Sequence, residues 1–194
     1  MSGDLPPGKL KDTIIYLEMR AHPTRPPPPA PMRPLALLRA SKPTVSFYRY
    51  LYNTVGEPWL WYERRKLDDA ALTAIIHDPR VEIFVLYADG VPAGYFELDC
   101  RVESEVELSF FGLIPEFIGQ GLGRYLLGCA VATAWARKPS RFWLHTCGFD
   151  HPRALSYYQR AGFVPYKQET KIFDDPYLAG VMPPLRRGRP RDSH

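Results

Sequence analysis

The stretch Glu116-Phe117-Ile118-Gly119-Gln120-Gly121-Leu122-Gly123 limits what this chain can become more than any other. Before it, Glu105 to Ile114 reads as a strand rich in Val, Leu and Phe. After it, Leu122, Leu126, Cys129 and Ala130 recur at i, i+4, i+7 and i+8, one face of a helix. Glycines between a strand and a helix leave backbone N–H groups free at the positive end of the helix dipole, with no Cβ atoms to keep a ligand away. Such a loop suits phosphate. Strand-to-helix turns also carry glycine for steric reasons alone, so the surrounding elements have to decide.

Val81–Ala88 and Val91–Asp99 read as a hairpin closed by Asp89-Gly90, and the strand from Glu105 follows antiparallel. The helix after the loop runs to about Ala136, Pro139-Ser140 breaks the chain, and Arg141–Thr146 is an aromatic-rich strand. Strand, helix, strand implies parallel pairing through a right-handed crossover. Asp150-His151-Pro152 is expected to open the last helix and Gly162 to end it. Phe163–Phe173 reads as a further strand, and Tyr177–Met182 as one short strand at most.

Upstream, Pro43 opens a helix with Val45, Tyr48, Leu51, Tyr52 and Val55 on one side, and Asp68 caps another through Ile76. Between them, Trp59 and Trp61 either line a pocket or anchor a helical hairpin. Asp12–Met19 and Leu35–Leu38 are candidate strands, separated by seven prolines from Pro23 to Pro34. That proline segment is extended and superficial, a stiff connector or a ligand for an aromatic groove. The expected architecture is α/β (α+β): a mixed, mostly antiparallel sheet of six to seven strands with helices on both faces. Residues 1–34 are set apart as a strand and connector, 35–182 form the main domain, and 183–194 a disordered basic tail.

Of the net charge of +4, the tail residues Arg186, Arg187, Arg189, Arg191 and Asp192 carry +3, so the folded body is nearly neutral. Nucleic-acid binding wants a basic face on the domain itself, which argues against it here, although the tail keeps it as a third reading. Cys100, Cys129 and Cys147 lack paired spacing, and the five histidines are scattered, so neither a disulfide nor a metal site is expected. Cys147 beside His145 invites a nucleophile reading, but alternating residues on a buried strand are more often core. The longest apolar run, near Leu126–Ala136, is too short to span a bilayer. A soluble, cytoplasmic protein is expected, with no membrane partner.

The order of elements and the residues together resemble the GCN5-related N-acetyltransferase superfamily, which transfers an acyl group from coenzyme A to an amine. Gly121 and Gly123 stand at the two small positions of its phosphate loop, Leu113-Ile114-Pro115 matches the end of its fourth strand, and Ala154, Tyr158 and Gly162-Phe163 match its last-helix signature. The resemblance is strong from about Glu105 to Phe163, fair from Leu35, and absent from the first thirty residues and the tail. It departs at Ile118, where the family usually has Arg or Gln, and at His151, where it usually has Asn directed at the pantetheine arm.

The resemblance implies acetyl-coenzyme A as co-substrate, held by Phe111, Leu113, Ile118, Gly119, Gln120, Gly121, Leu122, Gly123, Arg124, His151 and Tyr158. It implies backbone N–H groups near Leu113 facing the thioester carbonyl, with Gly112 suited to a bulge. It implies Glu107 as general base and Tyr158 as acid toward the leaving thiolate, with Tyr157 as the neighbour that confuses the assignment. Strand alternation is expected to set Glu105, Glu107, Ser109, Phe111 and Leu113 on one face. A water chain in place of Glu107 stays open. The resemblance implies a small-molecule or peptide amine as acceptor, its pocket drawn from residues 48–65 and 167–182 and in some members from a second subunit, so a homodimer is one option. The rival reading is a catalytically silent acyl-coenzyme A module that serves as sensor or protein partner.

Overall fold

In the computed structural model, which describes residues 5–24 and 26–184, the hairpin turn is set by two left-handed residues, Asp89 at φ 51° and Gly90 at φ 86°. Chain order is β1 (Lys9–Met19), β2 (Leu35–Arg39), α1 (Val45–Gly56), α2 (Asp69–Ile76), β3 (Val81–Ala88), β4 (Val91–Asp99), β5 (Glu105–Leu113), α3 (Leu122–Ala136), β6 (Arg141–Thr146), α4 (Ala154–Arg160) and β7 (Val164–Asp174). The strands form one sheet in the order β2-β3-β4-β5-β6-β1-β7. Among the described residues only β5 and β6 pair in parallel, as the crossover through α3 requires.

The sheet separates two cores. On one face α3 buries Leu122, Leu126, Ala130 and Ala134, one residue per turn, against Phe96, Leu98, Val106 and Phe142, and α4 packs beside it. On the other, Tyr48, Leu51, Tyr52 and Val55 of α1 and Leu72 and Ile76 of α2 cover Ile83, Val85 and Tyr95. Caps fix both helices of that face: the Thr44 hydroxyl accepts from the Phe47 N–H at 3.3 Å, and the Asp68 carboxylate from the Ala71 N–H at 2.7 Å.

Three expectations are corrected. The first strand does not stand apart from the main domain: β1 lies inside the sheet, antiparallel to β6 (Ile15 opposite Thr146) and to β7 (Ile15 opposite Gln168), with Leu17 and Met19 buried. Residues Tyr177–Met182 are not a strand. The Asp175 carboxylate accepts from the Tyr177 N–H at 2.8 Å and the Asp175 carbonyl from the Ala179 N–H at 2.9 Å, folding the segment into turns, while β1 fills the place between β6 and β7. Nor does Asp150 cap α4, which begins at Ala154 with no side-chain cap. Its carboxylate turns back to the end of β6, accepting from the Thr146 hydroxyl at 2.7 Å and the Cys147 N–H at 3.1 Å.

The proline segment connects β1 to β2, strands with four others between them, and crosses α3 on the way. A Cβ at Gly128 would stand 2.8 Å from Pro28 and one at Gly121 4.0 Å from Pro31, so the strap lies directly on the helix. The arginine-rich tail lies outside the described residues.

A fourth correction bears on the site. The β4–β5 register passes from Leu98 opposite Leu108 to Glu97 opposite Phe110, so the bulge falls at Ser109, while Gly112 pairs regularly with Tyr95. One inserted residue inverts the alternation. Val106, Leu108, Phe111 and Leu113 therefore share the α3 face, and Phe110 joins the α1 face. Glu107 thus stands on the face opposite Phe111 and Leu113 rather than beside them. Gly112 serves a close approach instead: a Cβ there would lie 2.4 Å from Cγ1 of Val55 on α1.

Candidate active site

The glycine loop is open to a ligand. Gly119 and Gly121 take φ of 84° and 79°, Gly121 forms the start of α3, and a Cβ at Gly119 would meet nothing within 4 Å. Among the described residues, no backbone N–H from Gly119 to Arg124 has an acceptor within the protein. These are the orphan donors of a helix start. Arg124, Arg153 and Arg160 line the same cavity, of about 470 Å³, without an acidic partner among the described residues. The Tyr157 hydroxyl is buried without a hydrogen-bond partner, 3.2 Å from where a Cβ on Gly123 would be, and burial pushes its pKa up to about 12. Free amides, unpaired cations and an orphaned hydroxyl fit a diphosphate with a long arm.

Most of the residues expected at the cofactor line this cavity, among them Phe111, Leu113, Ile118, Gly119 and Arg124. His151 does too: its ring stands 5.2 Å from that of Trp59, and its Nδ1 accepts from the Arg153 N–H at 3.1 Å. Two residues do not offer side chains to it. Leu122 is fully buried in the α3 core, leaving only its backbone N–H, and the Gln120 amide is engaged with Arg33 and with the carbonyl of Glu116.

A second cavity, of about 570 Å³, opens on the α1 side of the sheet. Its charges are uneven. Arg64 is paired with Glu97 at 2.7 Å, Arg101 with Asp99 and Lys171 with Glu169 at 2.9 Å, whereas Asp12, Glu63, Glu107 and Asp150 have no Lys or Arg partner among the described residues. Glu107 instead faces His145, Oε1 to Nδ1 at 3.7 Å, and this carboxylate raises the imidazole pKa above its ordinary value, helped by Asp150 and Glu63. Asp150 is pushed up by burial, and so is the Cys147 thiol, which leaves it a poor nucleophile at neutral pH.

His145 and Asp150 were not among the residues expected to act. Asp150 had the position of a cap, and His145 the alternation of a core strand. The usable signal was the parity of β6: with Phe142 and Leu144 buried under α3 and α4, His145 has to face the other side.

The two cavities share Trp59, Trp61, Phe111, Asp150 and Tyr158. They meet where the sheet opens, since β5 pairs with β6 only from Glu105 to Glu107 and then diverges. The Ile114 N–H donates to the Ala93 carbonyl at 2.9 Å, so alternation turns the Leu113 N–H to the other edge, into the gap that β6 has left. Tyr158 at this junction has its pKa raised by burial and then by the Asp150 charge, which keeps its proton in place. Trp61 both lines the junction and packs on Tyr52 and Phe110, with ring centroids 5.5 and 5.2 Å away, so it is pocket wall and anchor at once.

A sheet splayed beside a glycine loop at a helix start, with one cavity on each side, is the arrangement that the resemblance implies. Residues 45–163 match the family model for the Acetyltransferase (GNAT) family, and the chain belongs to that family. No curated protein matches. Among solved structures of similar fold, a putative GNAT-family acetyltransferase from Novosphingobium aromaticivorans is 18% identical, over 88% of this chain and 69% of that one, with a TM-score of 0.59. The ribosomal-protein-S18-alanine N-acetyltransferase of Escherichia coli is 15% identical over 72% of this chain and 93% of its own, with a TM-score of 0.56. A functionally unknown conserved protein from Staphylococcus epidermidis is 17% identical over 86% of this chain, with a TM-score of 0.58, and this chain spans 63% of it. Among the described residues no cluster could hold a metal, and no helix is long and apolar enough to cross a membrane.

Proposed function

We propose that this protein is an N-acetyltransferase that uses acetyl-coenzyme A and acts on a primary amine, on a small molecule or a peptide, seated in the α1-side cavity. One observation carries the proposal: a cavity of free amides and of arginines without an acidic partner meets a cavity of carboxylates without a Lys or Arg partner, among the described residues, at Trp59, Trp61, Phe111, Asp150 and Tyr158. The first suits a polyanionic cofactor and the second a cationic amine. An amino acid presenting a free carboxylate finds no spare Lys or Arg there among the described residues, so acceptors that carry further positive charge are favoured.

Bound in the first cavity, acetyl-coenzyme A supplies the acetyl group as a thioester. The remaining tasks fall on this chain. The amides of the glycine loop and the start of α3 hold the diphosphate. The Leu113 N–H, in the gap between β5 and β6, is placed to receive negative charge developing on a carbonyl oxygen, a donor typically worth about 100- to 1000-fold in rate. The proton leaving the ammonium goes to the Glu107–His145 pair: the carboxylate fixes the imidazole and brings its pKa nearer the working pH. Tyr158 holds a proton at the junction for the departing sulfur.

Calorimetry with coenzyme A and thiol release over a panel of mono- and polycationic amines and amino acids test this. Binding that is lost in Gly121→Asp, which adds a repelled charge among the loop amides, together with turnover of polycationic amines, is the expected result. No heat of binding with the unaltered protein would end the proposal.

A further inference from the structure

The glycine loop has few means of keeping its shape. Its bonds are the Phe117 N–H to the Ile114 carbonyl at 2.9 Å, the Ile118 N–H to the Pro115 carbonyl at 3.2 Å, the Gln120 Nε2 to the Glu116 carbonyl at 2.7 Å and, at its far end, the Tyr125 N–H to the Gly121 carbonyl at 3.5 Å. Its amides from Gly119 to Gly123 are uncommitted, and two of its residues are glycines in the left-handed region, free to leave it. One side chain outside the loop hydrogen-bonds to it among the described residues, and that is Arg33, at the end of the proline strap.

Arg33 makes three contacts at once. Its Nη1 donates to Oε1 of Gln120 at 2.6 Å, its Nη2 donates to the Asp89 carboxylate in the β3–β4 turn, and its guanidinium carbon lies 5.6 Å from the centre of the Phe117 ring. The backbone on either side is fixed as well: the Asp89 N–H donates to the Pro34 carbonyl at 3.0 Å, and Pro31 rests 4.0 Å from the Cβ position of Gly121. The planar fork of arginine holds two acceptors in fixed directions, which a lysine cannot. Arg33 thereby ties the middle of the loop to the hairpin on one side and, through Pro31, to α3 on the other.

We propose that Arg33 is a positioning residue of the cofactor site, a strut through which the proline strap keeps the glycine loop in the form that receives anions. It acts through Gln120, whose own side chain is turned away from the cavity. This builds on the cofactor assignment above and adds to it a residue far upstream of the loop, outside residues 45–163 that match the family model. Without the strut, the loop samples other glycine conformations, and apparent affinity falls by the fraction that remains competent.

The test is calorimetric titration of coenzyme A into the unaltered protein, Arg33→Ala, Gln120→Ala and the double variant, with amide hydrogen exchange of Phe117 and Ile118 in the free proteins. Each single change is expected to weaken binding roughly tenfold, and the double change no further than the weaker single, because both remove the same link. Arg33→Lys should recover little, since the fork is lost. Exchange of the Phe117 and Ile118 amides, which are bonded to the Ile114 and Pro115 carbonyls, should quicken in Arg33→Ala while the sheet stays protected. Affinity unchanged in Arg33→Ala, or losses that add in the double variant, overturns the proposal. If the unaltered protein takes up no coenzyme A, the cofactor assignment has failed instead, and the exchange data still decide whether Arg33 holds the loop.

Discussion

Nδ1 of His145 stands 3.7 Å from Oε1 of Glu107, joining adjacent strands of the sheet just where β5 and β6 begin to part. The two side chains face the acidic cavity together with Asp150. The carboxylate stabilises the imidazolium, so the folded-state pKa of His145 lies above its unfolded value of 6.5.

That shift predicts a pH dependence with a definite sign. Base action needs the neutral imidazole, so kcat/KM should rise as pH passes upward through the raised His145 value. Glu107→Gln removes the stabilising charge and should move this acid limb to lower pH, with kcat reduced roughly 100-fold or more because the imidazole loses its orienting partner. Stability follows the same linkage: the contribution of the pair is complete below the unfolded pKa and is lost as pH rises through the folded one. Glu107→Gln should therefore destabilise the protein at pH 5 and leave it nearly unchanged at pH 9, as denaturant titrations will read. An acid limb that persists unmoved in both Glu107→Gln and His145→Gln would falsify the assignment.

Adjacent tyrosines on α4 should separate by kinetic parameter. Tyr158 lines both cavities at the junction, while the Tyr157 hydroxyl lies by Gly123 with no partner. Tyr158→Phe should lower kcat by about 100-fold or more at unchanged coenzyme A affinity, as loss of a general acid does. Tyr157→Phe should leave kcat nearly intact and alter the dissociation constant for coenzyme A, because its hydroxyl is orphaned until a ligand arrives. Steady-state kinetics and calorimetry on the two variants check both statements.

How much of this was readable from residues alone depended on whether the determinant was local. The hairpin at Asp89-Gly90 and the Leu122, Leu126, Ala130 face of α3 are set by neighbours in sequence, and the sheet assembles as those patterns require. The place of β1 was not readable, because an alternating strand has no mark for which edge it joins, and β6 and β7 lie more than a hundred residues away. The bulge at Ser109 escaped for a related reason: it is a property of the β4–β5 register, and Gly112, the residue that drew notice, answers to Val55 on another element. With the bulge misplaced, Glu107 fell on the wrong face. His145 and Arg33 gain their roles from partners 38 and 87 positions away, in contacts that no local pattern announces.

Gly112 and Val55 allow a direct check of that packing. Gly112→Ala puts a methyl 2.4 Å from Cγ1 of Val55, on backbone that neighbours the junction. Overpacking of this kind destabilises by about 1–3 kcal/mol. Val55→Ala in the same chain makes room, so the double variant should be more stable than Gly112→Ala, despite Val55→Ala being destabilising by itself through the cavity it leaves. Equilibrium unfolding of the three variants shows whether the two residues couple; simple additivity would mean that they do not touch.

Beneath the acidic cavity, Glu97 is fully buried and accepts from the Tyr48 hydroxyl at 2.6 Å and from Nη2 of Arg64 at 2.7 Å. Arg64 in turn lies over the Phe110 ring at 5.2 Å, and its backbone N–H donates to the Tyr52 hydroxyl at 3.2 Å, so one carboxylate holds the 3-10 turn at Arg64–Lys66 against the sheet. Glu97→Ala strands a guanidinium that is mostly buried, and removing one partner of such a pair typically costs about 3–5 kcal/mol. Replacing both charges by apolar groups of similar size, Glu97→Met with Arg64→Met, leaves only the Tyr48 hydroxyl without its acceptor and should recover most of that loss. Urea titrations of the single and double variants should therefore rank Glu97→Ala lowest. Acceptor turnover should nevertheless fall in the double variant, because Arg64 is part of the cavity wall, whereas coenzyme A affinity, set on the far side of the sheet by the glycine loop, should stay where it was.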